Sequence, residues 1–196
     1  MKKAAVRIFS SLTLVVAATV SGCASPPSRF YTLTAAAQPD GAPPAPYAVV
    51  VDGVSVPATV DRPQLVVQKG PNRVAIDEFN RWAAPLGSSI ARAVAENLVV
   101  VLGTPRVATG PLSASFDPAY HVAIDIQRFE SAPGEASTLD AVWVVRGVTA
   151  TPVSGRSSQR EPVAGDGYEA IAAAHSRAIG KLSREIAAAI RAEAAR

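Results

Sequence analysis

The chain has 196 residues, with 19 Lys+Arg against 16 Asp+Glu, 2 His and 1 Cys. Lys2, Lys3 and Arg7 stand in the first 22 residues without an acid, so residues 23–196 carry the remaining 16 cations against all 16 acids, a formal net charge of zero. That balance argues against a general nucleic-acid binder, which carries a basic surplus on its folded part, and a single cysteine excludes an internal disulfide.

Met1-Lys2-Lys3 and Arg7 lead into an apolar run from Ile8 to Val20, broken only by Ser and Thr. The run is too short to cross ~30 Å of hydrocarbon comfortably as a helix. A positive start, a short apolar stretch and small residues after it are the layout of a secretory signal, expected here over residues 1–22. Val20-Ser21-Gly22-Cys23 resembles the lipobox of bacterial lipoproteins. That resemblance implies a diacylglyceryl group on the Cys23 sulfur and, after cleavage, acylation of the freed amine, palmitate being the expected chain. Several acyl chains together give stable anchoring, at ~0.8 kcal/mol per buried CH₂. Ala24 rather than Asp follows the cysteine, which by resemblance to the known sorting rule favours the outer membrane, facing the periplasm.

Residues 24–28 are expected to be extended, and Arg29–Thr34 to form a short strand. Residues 35–46, Ala-Ala-Ala-Gln-Pro-Asp-Gly-Ala-Pro-Pro-Ala-Pro, have the composition of a spacer. In a polyproline-like form they could span about 37 Å and hold a domain off the membrane. The folded domain is then expected over residues 47–196, long enough for one core. Tyr47–Val56 reads as a Val-rich strand, and Gln64–Gln68 and Arg73–Ile76 as two short strands around the turn Lys69-Gly70-Pro71-Asn72. Pro85 sits where a helix starts. Leu86, Ile90, Val94, Leu98 and Val101 form its apolar stripe, with Gly103 as C-cap and Pro105 preventing continuation.

Arg106–Thr109 is a short strand candidate. Tyr120–Glu130 alternates, with Val122, Ile124 and Ile126 on one face and His121, Asp125 and Gln127 on the other. Leu139–Thr151 reads as a longer strand around Trp143, and Gly155-Arg156-Ser157-Ser158 as a turn into a last strand at Gln159–Val163. Asp166 and Glu169 fit a capping box for a final helix with Ile171, Ile179, Leu182, Ile186 and Ile190 on one side. The fold class predicted is α+β: a mainly antiparallel sheet with two amphipathic helices packed on one face, a single domain after a lipid-anchored linker.

The sequence offers no positive case for catalysis. It has no phosphate-binding G-x-x-x-x-G-K-[ST] and no G-x-S-x-G elbow. Two histidines and a cysteine committed to lipid do not make a zinc site, and neither metal nor cofactor is expected. His175 falls near the apolar stripe of the last helix and reads as a boundary or core histidine; His121 reads as a solvent-face residue. Asp77 and Glu78 are adjacent carboxylates whose side chains diverge on a strand, and a solvated loop is expected there.

Two segments are unusual for plain surface: Thr59-Val60-Asp61-Arg62-Pro63-Gln64-Leu65-Val66-Val67 and Glu78-Phe79-Asn80-Arg81-Trp82-Ala83-Ala84-Pro85-Leu86. Asp61 and Arg62 fit a turn with a local ion pair. Arg81 and Trp82 fit a ring packed under a loop with a guanidinium stacked on it. All four also fit a partner contact, because Arg and Trp are favoured interface anchors.

Together with Phe30-Tyr31-Thr32-Leu33, the runs Asp61-Arg62-Pro63-Gln64-Leu65-Val66 and Glu78 to Leu86 make the chain resemble the ABC-type transport auxiliary lipoproteins, the group that includes the Pqi-system outer-membrane lipoprotein. The likeness is collinear over most of residues 23–196, and beyond about residue 110 it is one of pattern. It implies a non-enzymatic role beside an MCE-domain protein and its permease, as a docking or stabilising component. Such systems move phospholipid or other hydrophobic molecules between inner and outer membranes and maintain membrane integrity. The resemblance leaves room for a homo-oligomer, and carries over no catalytic residue. A lipoprotein that braces or activates a cell-wall synthase or a secretion pore is the alternative.

Overall fold

A computed structural model describes residues 26–110, 117–148 and 151–196. The expected signal segment, Cys23 and the end of the strand expected at Leu139–Thr151 (residues 149–150) lie outside the described residues. The elements are β1 (Arg29–Tyr31), β2 (Val49–Ser55), β3 (Gln64–Gly70), β4 (Arg73–Trp82) and α1 (Leu86–Leu102), followed by β5 (Val107–Thr109), β6 (Tyr120–Ala132), β7 (Ala136–Gly147), β8 (Val153–Pro162) and α2 (Gly167–Ala194).

The protein is a single α+β domain. Its strands divide into two mixed sheets, ordered β1-β4-β3 and β5-β2-β6-β7-β8, rather than forming one mainly antiparallel sheet. The hairpins β3–β4, β6–β7 and β7–β8 are antiparallel. β2 is parallel to both β5 and β6. Parallel neighbours require a crossover, and the excursion through β3, β4 and α1 supplies it. Both helices lie on one face of the five-stranded sheet, α1 over β2 and α2 over β7 and β8, and they pack on each other.

The apolar stripes predict the buried faces well. Ile90, Val94 and Leu98 on α1 and Ile179, Leu182, Ile186 and Ile190 on α2 are inaccessible to solvent. Pro85 is the N-cap residue of α1, and Gly103 ends the helix in the left-handed conformation at φ 65°, a geometry that disfavours residues bearing a Cβ. Asp166 holds the N-cap position of α2, but its side chain makes no capping hydrogen bond, so the expected capping box does not form.

Two local expectations are overturned. Gly155 is not a turn glycine: it lies inside β8, directly opposite Trp143 of β7. A Cβ at Gly155 would stand 2.2 Å from the Trp143 ring, so the missing side chain makes the space the indole occupies. The second concerns residues 35–46, which do not form a free spacer. Leu33, Ala37 and Ala45 are buried in the core. The N–H groups of Ala36 and Ala37 both donate to Asn97 Oδ1, at 2.9 and 2.7 Å. The Ala45 N–H donates to the Leu102 carbonyl, and Arg191 reaches the carbonyls of Pro43 and Val101. Gly180 lets this strap lie close on α2, because a Cβ there would be 3.2 Å from the Ala37 nitrogen.

Asn97 is therefore the clasp of the strap. It is fully buried, and its amide also donates to the Ala93 carbonyl at 2.7 Å. Asn97→Ala strands two strap N–H donors beside the helices. It is expected to lower unfolding free energy by about 2 kcal/mol, as buried donors without partners do, measured by urea denaturation. An unchanged midpoint would show that the strap is not held there.

Candidate functional site

The two unusual sequence segments meet in space. β3 and β4 pair antiparallel, but the register slips between Gln64, opposite Arg81, and Leu65, opposite Asp77. Residues 78–80 are thus accommodated as a bulge, a device that bends a strand and re-aims its side chains. Asp77 stabilises it. Its Oδ1 accepts the N–H groups of Phe79 and Asn80, both at 2.9 Å, and its Oδ2 accepts the Tyr168 hydroxyl at 2.6 Å. Burial pushes the Asp77 carboxyl up, but the hydrogen bonds from Tyr168, Asn80 and Phe79 outweigh it and hold the pKa at about 2. Burial and the Asp77 carboxylate together raise Tyr168 to about 12. Asp77 is accordingly part of the fold and not of the solvated loop expected for it.

The motif residues separate by face. Trp82 is buried, its backbone N–H donating to the Pro63 carbonyl at 2.7 Å. Its ring meets Phe129 and His175 edge-on, with centroids 6.2 and 6.5 Å away. Of the two readings of Trp82, that enclosure fits the packed ring and not the surface contact. Arg81 turns the other way and is half-exposed. It donates to the Glu78 carbonyl at 2.8 Å and approaches the Glu78 carboxylate at 3.8 Å. Gln64 donates to the same carboxylate at 3.2 Å. Asp61 is exposed and Arg62 partly buried. No ion pair joins them among the described residues, and Arg62 Nε is enclosed without a hydrogen-bond partner.

Beside this unit runs a cleft between the β3–β4 hairpin and β6. Its apolar part holds about 250 Å³ and is lined by Pro57, Val60, Val66, Val74 and Phe129. The adjoining part, about 730 Å³, carries Lys69, Arg128, Glu130 and Glu135. Gln68 borders both. Arg128 is tied to Asp140 at 2.8 Å, so the floor of the cleft is positioned by β7. The sequence pattern did not reveal the cleft, but it held one signal. Ile126 and Phe129 are both buried although three apart, a break in period 2 that matches the register slip between Ile126 and Arg128.

Other polar groups are engaged in structure. His175 is fully buried, stacked on Phe129 at 3.7 Å and hydrogen-bonded through Nε2 to Ser131 Oγ at 2.9 Å. Burial lowers its pKa to about 3. Burial also disfavours charge on Glu161, but hydrogen bonds and charge from Lys181 and Arg177 hold its pKa below the usual value, with nitrogens at 2.6 and 3.1 Å. His121 is half-exposed and sits 3.0 Å from Asp52. Among the described residues there is no cluster of three or more metal-ligating side chains, and no helix is long and apolar enough to cross a membrane.

No curated protein matches the sequence. Among solved structures, the chain is similar to an uncharacterized protein at 19% identity, covering 84% of this chain and 99% of that one, with a TM-score of 0.69. It is also similar to protein XCC0632 from Xanthomonas campestris at 22% identity, covering 81% and 92%, with a TM-score of 0.65. At these identities the likeness concerns the fold. The sequence profile of one family matches residues 31–187, taking in both halves of the bulge unit, the strap, α1 and most of α2. By that match the chain belongs to the family described as the ABC-type transport auxiliary lipoprotein component.

Proposed function

We propose that this protein is the lipid-anchored accessory subunit of an envelope transport system that moves phospholipid or other hydrophobic molecules between the inner and outer membranes. It stands at the periplasmic face of the outer membrane on lipidated Cys23 and works beside an MCE-domain protein and its permease. The observation that carries this reading is the family assignment over residues 31–187. The role is docking rather than chemistry. The most perturbed titratable groups, His175, Tyr168 and Asp77, are consumed by the core and by the bulge. Asp61, Arg62 and Arg81 form the contact, with Arg81 braced in place by Glu78.

Affinity capture of the lipidated protein from gently solubilised envelopes tests this. An MCE-domain protein is expected to be recovered, and its yield is expected to fall with Arg81→Ala, a surface change of little structural consequence. Trp82 is unsuitable for this test, because its removal damages the core. Recovery of a cell-wall synthase or a secretin in place of an MCE-domain protein would overturn the reading.

A further inference from the structure

On the outer face of the small sheet Val66 and Gln68 turn toward the cleft beside β6, whereas Val74, at the rim of that cleft, and Ile76 stand open to solvent. Direct cross-strand partners share a face, so the register places Val66 beside Ile76 and Gln68 beside Val74 on one side of the hairpin. Phe30 lies opposite Arg81 on that same side, while Tyr31 and Trp82 face inward. Val74 is 53% exposed, Ile76 44% and Phe30 63%; Phe79, 39% exposed, lies in the bulge, where no cross-strand partner fixes its side. These four are most of the large apolar side chains exposed among the described residues. Cations flank the patch at both ends: Arg29 precedes Phe30, and Lys69 and Arg73 stand exposed at the hairpin tip.

The position of this face relative to the anchor identifies what it meets. Because 35–46 is a docked strap and not a spacer, only residues 24–28 separate Cys23 from the first strand. Fully extended, that stretch reaches roughly 20 Å at most. β1 is parallel to β4, so the chain enters β1 from the end at which β4 begins, the end of Val74 and Ile76. A tether this short keeps the local concentration of bilayer at the patch high. Exposed aliphatic side chains with Lys69 and Arg73 beside them suit the boundary between acyl chains and anionic headgroups.

We infer that the hairpin end of the small sheet's outer face docks on the bilayer surface that holds the anchor, with Val74 and Ile76 entering the headgroup boundary, while Arg81 at the other end of β4 stays free for the partner. The inference rests on lipidation of Cys23. It fixes the orientation of the domain: the β3–β4 hairpin end lies against the lipid, and the far end of α2 stands away from it.

The test uses the full lipidated protein in vesicles of phosphatidylethanolamine and phosphatidylglycerol, with a spin label on one introduced cysteine. Val74→Cys and Ile76→Cys report the patch. Ala188→Cys, exposed on α2 roughly 30 Å along the helix from Tyr168, reports the far end. The ratio of oxygen to aqueous nickel-chelate collisions is expected to be several-fold higher at Val74 and Ile76 than at Ala188. Equal ratios on vesicle-bound protein would overturn the docking while leaving the anchor intact. Protection at Ile76 already present in detergent would also overturn it, because a second copy of the chain would then be the cover. Protein that does not float with vesicles, as Cys23→Ser is expected not to, would instead remove the anchor on which the inference rests.

Discussion

Truncating Trp82 to alanine is expected to destabilise the domain by about 3–5 kcal/mol, the usual cost of emptying a large aromatic site in a core. The ring is 6% exposed and fills the junction between the two sheets and α2, touching Phe129 of β6 and His175 of α2. No single neighbour can move in to fill the space, since Phe129 is itself stacked on His175. Trp82→Phe keeps most of the volume and is expected to cost less. Urea midpoints followed by far-UV circular dichroism separate the two, and a loss below about 1 kcal/mol for the alanine variant would show that the junction repacks.

His175 should make stability depend on pH with a definite sign. Burial lowers its pKa from 6.5 to about 3, so between those values the unfolded chain binds a proton that the folded one refuses. The associated stability is complete above the unfolded pKa and falls as the solution is acidified. The slope is roughly 1.4 kcal/mol per pH unit, or about 2.5 kcal/mol between pH 6 and pH 4. His175→Gln carries no such proton. The gap between wild type and variant is therefore expected to narrow on acidification over that range, in unfolding free energies at matched pH. Parallel curves would show that the imidazole is protonated in the folded state. Asp77, held near 2 against an ordinary 3.8, contributes above that range and loses its contribution only as pH falls toward 2. Its effect lies at the acidic edge and is separable.

What was legible in the sequence was local. α1 is bracketed by Pro85 and Gly103, and its stripe needs only the helical period. The β3–β4 hairpin is announced by its turn and by alternation. His175 could be placed in the core because it lies between Ile171 and Ile179. What was not legible depends on partners distant along the chain. Residues 35–46 look like a spacer by composition, and only Asn97, Gly180 and Arg191 turn them into packed structure. Gly155 reads as a turn until Trp143 is set across from it. The division into two sheets follows from β2 choosing parallel partners, for which the sequence gives no local mark. Arg81 and Trp82 looked like one feature because they are adjacent, but strand alternation sends one outward and the other into the core.

The path of the N-terminal chain also has a mechanical meaning. On the proposed lipidation of Cys23, a pull from the bilayer, resisted by a partner held on the domain, passes through only residues 24–28 before the first strand. It arrives first at Arg29–Tyr31, paired with Asn80–Trp82, and in line with those strands. Force along a strand loads its hydrogen bonds together in shear rather than opening them one after another. Behind that pairing, in series, stand the Asn97 clasp and the Arg191 contacts with the strap. On that proposal the domain acts as a stiff coupling between its anchor and a bound partner, with the seam between its helices as the second point of resistance.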